Sequence, residues 1–292
     1  MSTVPSETTS SGNSAAACCG PSCCGGEASA QEAASGTSDL RVLVRERYGA
    51  VAEGVSGAAG CCCGPECADQ VLSDIGYTAD QAAAIPEGAN LGLGCGNPLA
   101  WAHLRPGETV LDLGSGAGVD CFLASREVGR EGRVIGVDMT AAMIDRARTN
   151  AAKGDWSNVE FRLGEIEHLP VADGTVDAII SNCVVNLSPD KAQVFREAHR
   201  ALRPGGRMVV SDLVWLRPLP EVLRHDVDLY VGCVAGASLK EDYLALIRAA
   251  GFRDVEVVHE GTYAVGVDAL PPDSPLREAF EVVASIKVKA SK

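Results

Sequence analysis

The chain has little positive charge: 25 lysines and arginines stand against 39 aspartates and glutamates in 292 residues, giving a formal net charge of −14. This excess of acid argues against a general nucleic-acid binder, which needs a basic surface to neutralise phosphates. It argues equally against docking on an anionic membrane surface. Hydrophobic residues make up 46% of the chain, which is enough for one large domain or two small ones.

Long apolar runs are missing as well. No run approaches the roughly 18–20 residues that a membrane-spanning helix needs. The opening residues, MSTVPSETTSSGNS, contain neither a basic segment nor an apolar core, and so do not resemble a secretory signal. From these absences we expect a soluble, cytoplasmic protein.

Cysteines, by contrast, are abundant and clustered, with twelve in the chain. Eight of them precede residue 68: Cys18, Cys19, Cys23, Cys24, Cys61, Cys62, Cys63 and Cys67. The other four are Cys95, Cys121, Cys183 and Cys233. Because disulfide scaffolds belong mainly to secreted proteins, this cysteine usage favours metal binding or redox chemistry.

The N-terminal third divides into a tail and a partly helical segment. Residues 1–38 are rich in serine, glycine and alanine and include the motif CCGPSCC; they are predicted to be a disordered, cysteine-containing tail. In residues 39–104, the apolar spacing predicts a helix that Asp39 would cap. A second, short helix is predicted after Thr78 as its N-cap, and the glycine-rich segment LGLGCGNP is predicted to be a loop.

The centre alternates predicted strands with predicted helices. The strands are Thr109–Leu113, Arg133–Asp138, Val159–Leu163, Val176–Asn182 and Arg207–Leu213. The helices are Asp120–Val128, Ala141–Lys153 and Pro189–Leu202, followed by a helical stretch at Leu219–Val234 and a helix at Leu239–Ala250. Two further strands are predicted at Asp254–His259 and Val283–Ala290. Strands that are apolar on both faces suit a parallel sheet, so the pattern predicts a doubly wound α/β domain.

A glycine-rich turn follows the first of these strands. Gly114, Gly116 and Gly118 allow a tight turn and a close approach to a ligand, and the next helix N-terminus can face an anion. Asp138 ends the second strand, 20 positions past Gly118, where an acid can accept from both ribose hydroxyls. Asp112 lies inside the strand before the turn, and an acid there suits an ammonium group better than a pyrophosphate.

This arrangement resembles the class I S-adenosylmethionine-dependent methyltransferases. LDLGSGAG resembles their first motif, VIGVDMT their ribose-binding strand end, and LRPGGRMVVSD a later sheet motif, while GEIEHLP lies where they hold the adenine. The resemblance implies a doubly wound, Rossmann-like seven-stranded sheet whose last strand, placed at Ile286–Val288, is antiparallel. The cofactor-binding residues that it implies are Asp112, Gly114, Ser115, Gly116, Gly118, Asp138, Met139, Thr140, Glu165, Ile166 and Asn182.

Oxygen or nitrogen acceptors of a methyl group usually need a general base to remove a proton, and no histidine or acid in the sequence clearly supplies one. His168, His199 and His225 are isolated in the sequence and are interpreted as surface or packing residues. Cysteine offers another kind of acceptor, since Cys95, Cys183 and Cys233 come from three segments flanked by small residues. Each of them alone could equally be a small buried apolar residue, which is the interpretation kept for Cys121.

Soft thiolates select soft or borderline ions. A closed zinc site would leave the methyl donor without a purpose, whereas trivalent arsenic takes three thiolates and keeps a lone pair on its open side. That lone pair carries no proton, so its attack on a sulfonium methyl needs no base.

Over residues 40–260 the chain resembles the arsenite methyltransferases. The matching motifs are LGLGCGNP, LDLGSGAGVD, GVDMT, SNCVVNLSPDK and CVAGA. The resemblance implies Cys95, Cys183 and Cys233 as ligands of arsenic(III), and an exchange thiol among Cys61, Cys62 and Cys63, with Cys62 and Cys63 in the better-matching stretch. It also implies arsenite or its thiol conjugates as substrate, and a thioredoxin- or glutathione-type thiol reductant.

The resemblance completes the predicted organisation. Residues 39–104 form a helical N-terminal cap with the cysteine cluster and the Cys95 loop, and residues 105–214 form the S-adenosylmethionine-binding core. Residues 215–292 form a small region that completes the arsenic site and the sheet. Two other functions remain open: methylation of a small organic acceptor with the same cofactor, and a thiol-rich sink that binds metal or metalloid without chemistry.

Overall fold

The computed structural model of the protein describes residues 37–55, 65–263, 267, 271, 274 and 276–292. The predicted disordered tail, residues 1–38, lies outside the described residues except for Thr37 and Ser38, which begin the first helix. The Cys18–Cys24 cluster and Cys61, Cys62 and Cys63 also lie outside them.

Seven strands form one sheet in the order β3-β2-β1-β4-β5-β7-β6. They are β1 (Thr109–Leu113), β2 (Arg133–Asp138), β3 (Val159–Leu163), β4 (Val176–Asn182), β5 (Leu202–Trp215), β6 (Arg253–Thr262) and β7 (Val283–Ser291). All neighbours pair in parallel except β7, which runs antiparallel to both β5 and β6. The predicted seven-stranded, doubly wound sheet and its antiparallel last strand are therefore confirmed.

Ten α-helices lie within the described residues. They are α1 (Thr37–Ala52), α2 (Pro65–Asp74), α3 (Ala79–Ala84), α4 (Leu99–Ala102), α5 (Val119–Val128), α6 (Ala141–Ala151), α7 (Lys191–Ala201), α8 (Val227–Val231), α9 (Lys240–Ala249) and α10 (Leu276–Glu281). Among these residues no helix combines the length and the apolar character needed to cross a bilayer. Thr78 caps α3 as predicted, because its hydroxyl accepts from the Gln81 amide in a reciprocal capping box.

Three local predictions are wrong. The first helix begins at Thr37, so Asp39 lies inside it and is not its N-cap. The stretch predicted to be helical at Leu219–Val234 contains a 3₁₀ turn at Glu221–Leu223 and then α8, because the Asp226 side chain accepts from the Leu229 amide and starts a new helix. The strand predicted at Arg207–Leu213 is longer, because pairing with β4 already begins at Leu202 and pairing with β7 continues to Trp215.

The apolar core fills both faces of the sheet. On one face, side chains such as Leu111 and Ile179 pack against α7 and α9. On the other face, Val110 and Ile180 pack against α4, α5 and α6. Because β4 is buried on both sides along nearly its whole length, its polar end at Asn182 marks the carboxyl edge of the sheet, where α/β folds bind ligands.

Candidate active site

The turn after β1 is built from glycines in the left-handed backbone region. Gly114, Gly116 and Gly118 have φ values of 69°, 50° and 103°. A side chain at Gly114 would place its Cβ 2.4 Å from Val184 Cγ2, so this close approach requires glycine. Gly114 and Gly116 line a cavity of about 620 Å³, a volume within the range of small-molecule sites.

Asp138 ends β2 with its carboxylate turned toward the glycine turn. Its Oδ2 accepts from the Gly116 amide at 2.9 Å, and its Oδ1 accepts from the Thr140 amide at 2.8 Å. Burial raises the pKa of Asp138. Because each carboxylate oxygen can accept more than one hydrogen bond, the group can hold the turn and still accept from a ligand in the cavity, which Met139 and Thr140 also line.

Two acids lie together at the far side of the glycine turn. Asp112 is 2% exposed and Asp120, in the first turn of α5, is 6% exposed. Cys121 Sγ donates to Asp112 at 3.3 Å, and Tyr77 Oη donates to Asp120 at 2.7 Å. Burial raises the pKa of Asp120 to about 6, and burial together with the Asp120 charge raises the pKa of Asp112 well above its usual value. Both acids line the cavity, so this wall favours a cationic group.

Sequence reasoning did not identify Asp120. A lone acid at the start of a helix is ordinarily a favourable neighbour of the helix dipole, so Asp120 gave no separate signal. The usable signal is burial: the seven residues of α5 that the fold buries are apolar or small apart from this one carboxylate.

Three predicted thiols converge at the carboxyl edge of the sheet. Cys183 follows β4, Cys233 follows α8, and Cys95 lies in the loop before α4. The sulfurs of Cys95 and Cys183 and a carboxylate oxygen of Asp212 all lie within 4.8 Å of one another. Cys233 Sγ donates to the Cys183 carbonyl oxygen at 2.9 Å. All three are free thiols, so they can act together on one soft ion.

Two of these cysteines adopt a backbone conformation that L-residues seldom use. The φ value is 57° at Cys183 and 64° at Cys233. Such conformations persist where surrounding contacts impose them, and they concentrate at functional sites. The adjacent Cys233 and Cys95 side chains, together with burial, raise the pKa of Cys183 well above its usual value.

The buried side chain of Asn186 connects the thiol region to strand β5. Asn186, which is fully buried, donates to Asp212 at 2.9 Å and to the Leu213 carbonyl at 2.7 Å, and more weakly to the Cys233 carbonyl at 3.4 Å. Asp212 also accepts from Tyr243 Oη at 3.1 Å, and burial raises the pKa of Asp212 to about 7. These hydrogen bonds tie the end of β5 to the loop that carries Cys233.

Apolar side chains surround the thiols next to the strand that ends at Asp138. Tyr48 of α1 packs in the same hydrophobic cluster as Met139, Cys183 and Cys233. Its phenol donates to the Val231 carbonyl oxygen at 3.1 Å. Helix α1 thus lies beside the thiols and Met139, and the ring of Tyr48 contributes apolar surface there.

The two residues predicted to flank an adenine lie in different environments. Ile166 lines the cavity and is 8% exposed. Glu165 is not among the cavity-lining residues and pairs instead with Arg45 at 3.4 Å. Glu167 lines the cavity and pairs with Arg41 at 3.1 Å, which links α1 to this wall.

Of the remaining residues that the sequence singled out, some line the cavity and others lie away from it. Ser115 and Asn182 line the cavity, and Ser115 Oγ is buried without a hydrogen-bond partner. Cys121 is fully buried among apolar side chains, as predicted. His168 and His225 are exposed, and His199 packs edge-on against Phe252. The exchange thiol expected at Cys62 or Cys63 lies outside the described residues and stays a prediction.

Comparison with known proteins gives a consistent result. A methyltransferase domain model matches residues 104–251, half of the chain. An arsenite methyltransferase of Halobacterium salinarum is 53% identical over 234 residues, which cover 75% of this chain and 59% of that protein. The crystal structure of an arsenic(III) S-adenosylmethionine methyltransferase from Chlamydomonas reinhardtii superposes with a TM-score of 0.61 at 34% identity, covering 79% of this chain and 75% of that one.

Other similarities are more distant or more partial. The human arsenite methyltransferase is 40% identical over 152 residues, which are 49% of this chain and 40% of that protein. The matched region therefore spans about three fifths of the length of the Halobacterium protein and two fifths of the length of the human protein.

Proposed function

Because the chain belongs to the arsenite methyltransferase family of S-adenosylmethionine-dependent methyltransferases, we propose that it methylates trivalent arsenic held by Cys95, Cys183 and Cys233. The observation that carries the proposal is the meeting of free thiols from separate segments beside the cavity behind the glycine turn. Such methylation would serve arsenic detoxification.

The cavity fits S-adenosylmethionine, which supplies an electrophilic methyl group on a sulfonium sulfur. The glycine turn and the N-terminus of α5 would hold the methionine carboxylate. Asp112, Asp120 and Asp138 line the cavity; the first two would hold the ammonium, and Asp138 would accept from the ribose hydroxyls. Ser115 Oγ supports this fit, because a buried hydroxyl without a partner is satisfied by a polar ligand atom.

Arsenic loading needs no prior deprotonation of the thiols. Arsenite carries three hydroxyl groups, and each exchange of a hydroxyl for a cysteine thiol releases one water molecule that takes up the thiol proton. This balance suits Cys183, whose raised pKa keeps it protonated. Three such exchanges leave arsenic bound to three sulfurs, with its lone pair free on the open side.

Methyl transfer then requires only alignment. The arsenic lone pair forms the carbon–arsenic bond while the carbon–sulfur bond breaks and leaves its electron pair on sulfur, which formally oxidises arsenic from the trivalent to the pentavalent state. Formation of a disulfide between two cysteines returns two electrons to arsenic, and a thioredoxin- or glutathione-type thiol reduces that disulfide. The chain contributes position, and the ring of Tyr48 contributes apolar surface beside the thiols.

Incubation of the full chain with arsenite, thiol reductant and methyl-labelled S-adenosylmethionine tests the proposal. We expect mass analysis to find the label in methylated arsenicals and to find none when arsenite is left out. Label that appears only in small organic acceptors would contradict the proposal and support the alternative methyltransferase. Tight arsenite binding without any binding of the cofactor would support the thiol-rich sink.

Cofactor affinity is expected to fall as the pH is lowered from 7 to 5. Burial raises the pKa of both Asp112 and Asp120, the latter to about 6, and a protonated acid cannot pair with the ammonium. Binding of the ammonium favours the ionised acids, so affinity is greater at pH 7 and is lost by about tenfold per pH unit where the acids take up protons. Calorimetric titration with S-adenosylhomocysteine, which carries the same ammonium, measures this dependence.

The matched control for this pH profile is Asp120→Asn, which removes one titrating carboxyl and keeps the side-chain shape. We expect weaker binding and a flatter profile in this variant. A wild-type affinity that does not change between pH 5 and 7 would show that the ammonium lies elsewhere.

A further inference from the structure

Two side chains hold the loop that carries Cys95. Ser285 of β7 donates to the Cys95 carbonyl oxygen at 2.6 Å, and Asn182 at the end of β4 binds the next peptide groups. Asn182 Oδ1 accepts from the Cys95 amide at 3.1 Å, and Asn182 Nδ2 donates to the Gly96 carbonyl oxygen at 2.7 Å. The loop runs close to this side chain, since a Cβ at Gly94 would lie 3.0 Å from Asn182 Nδ2. Ser285 fixes the Cys95 carbonyl oxygen, whereas the Asn182 amide fixes the Cys95 N–H and the Gly96 carbonyl oxygen, so the orientation of the Asn182 amide sets how the loop presents Cys95.

The same amide group is linked to the acidic wall of the cavity. The second hydrogen of Asn182 Nδ2 is donated to Tyr77 Oη at 2.9 Å, and Tyr77 Oη donates to Asp120 at 2.7 Å. A longer contact of 3.4 Å joins Asn182 Nδ2 directly to the other carboxylate oxygen of Asp120. Burial and the Asp120 charge raise the pKa of Tyr77 well above its usual value, so the phenol keeps the proton that it donates.

The hydrogen bonds from the Cys95 N–H to Asn182, from Asn182 to Tyr77 and from Tyr77 to Asp120 all donate toward the carboxylate. Tyr77 is 5% exposed and Asp120 is 6% exposed, so water competes little for these groups. In such surroundings a charged acceptor polarises each donor in turn, and the bonds strengthen one another. A cationic group in the cavity that holds Asp120 in its ionised form consequently orders Tyr77 and Asn182 as well.

We infer that Tyr77 and Asn182 are positioning residues that couple the two substrates, joining the amino-acid end of the cofactor to the third arsenic thiol. An ammonium bound between Asp112 and Asp120 orders the chain of hydrogen bonds, and the ordered Asn182 holds Cys95 beside Cys183 for arsenic. This inference rests on the function proposed above and adds a property that the shared site does not by itself require. A methyltransferase can bind both substrates independently.

Coupling of this kind is reciprocal, because linkage requires each ligand to raise the affinity of the other by the same factor. We expect S-adenosylhomocysteine to tighten arsenite binding about tenfold, and arsenite to tighten S-adenosylhomocysteine binding by the same factor. S-adenosylhomocysteine is the suitable probe, since it keeps the ammonium and has no methyl group to transfer.

The test is a set of calorimetric titrations of the full chain, reduced with a phosphine so that no thiol competes for arsenite. Tyr77→Phe removes the phenol oxygen and keeps the ring, and it is expected to reduce the coupling from about tenfold to about twofold or less. Asn182→Ala, which breaks the same chain at its other end, is expected to do likewise and serves if Tyr77→Phe proves unstable. Tyr230→Phe is the matched control, because its phenol donates to the Leu187 carbonyl oxygen at 3.1 Å and has no link to Asp120.

The coupling factor separates positioning from mere structural support. A structural defect weakens the binding of each ligand whether or not the other is present, and leaves the factor unchanged. A wild-type chain that binds both ligands with a factor of one, or a Tyr77→Phe variant that keeps the wild-type factor, would overturn the inference while leaving the proposed function standing. A wild-type chain that fails to bind arsenite would contradict the proposed function and the coupling together.

Discussion

Replacement of Cys183 or Cys233 by serine is expected to lower kcat/KM for inorganic arsenite by about a hundredfold or more. Changes in groups that merely touch a metal ligand already cost about 10–100-fold in affinity or activity, so removal of a ligand itself should cost at least as much. A serine hydroxyl is a hard oxygen donor and does not replace a soft thiolate on arsenic. Arsenic-resolved mass analysis of the products measures the loss.

Two further variants make this experiment specific. Cys121→Ser is the control, because Cys121 packs inside α5 and its side chain touches Asp112 rather than the other thiols; arsenite binding should persist. Cys95→Ser should impair inorganic arsenite more than methylarsenite, which already carries a methyl group and needs only two thiolates. Full turnover of arsenite in both Cys183→Ser and Cys233→Ser would refute the arsenic assignment.

Asp138→Asn is expected to weaken cofactor binding by about two orders of magnitude. A hydrogen bond to a charged group contributes about 1.5–3 kcal/mol, and the carboxylate is positioned to accept from ribose hydroxyls. The amide would also point N–H groups at the Gly116 or Thr140 amide, each of which now donates to the carboxylate. Calorimetry with S-adenosylmethionine measures the change, and thermal unfolding verifies that the variant is folded.

Asp155→Asn is a suitable control for this substitution. Asp155 lies on the surface, where it pairs with Arg130, so cofactor affinity should stay within about twofold of the wild type. If Asp138→Asn bound the cofactor as tightly as the control does, the ribose would have to lie away from the end of β2.

The central strands could be predicted from the sequence because each has an unambiguous physical signature. Apolar runs buried on both faces predicted β1, β2 and β4 to the residue, and the glycines of the turn marked where β1 ends. The bounds of β3 were also predicted correctly, although this edge strand is only partly buried. Three helices were missed: α2, α4 and α10. Helices α4 and α10 have fewer than two turns, and such helices depend on tertiary packing rather than on their own periodicity. Helix α2 has ten residues, and its sequence follows directly on a glycine- and cysteine-rich stretch that is typical of a loop.

The sequence predicted those site residues that lie at the ends of predicted strands. Cys183 and Asp138 each follow from the rule that ligands bind at the carboxyl edge of a parallel sheet. Cys95 and Cys233 lie in loops, whose paths no periodicity encodes. Their small neighbours made them candidates, but only the resemblance to a family implied that they act together with Cys183. Asp120 and Tyr77 became visible only in three dimensions, because the two are 43 positions apart in the chain yet share a hydrogen bond.

The left-handed conformation at Cys183 and Cys233 bears on how this site can be lost over evolutionary time. At both positions glycine would relieve about 1–2 kcal/mol of steric cost, so sulfur there opposes the local preference of the main chain. Glycine would also remove the packing of the side chain in its apolar cluster and add backbone entropy to the unfolded chain, so the strain and these two costs roughly offset one another. Folding therefore gives little net reason to prefer sulfur at these two positions, and under the proposed function it is arsenic binding that favours cysteine there.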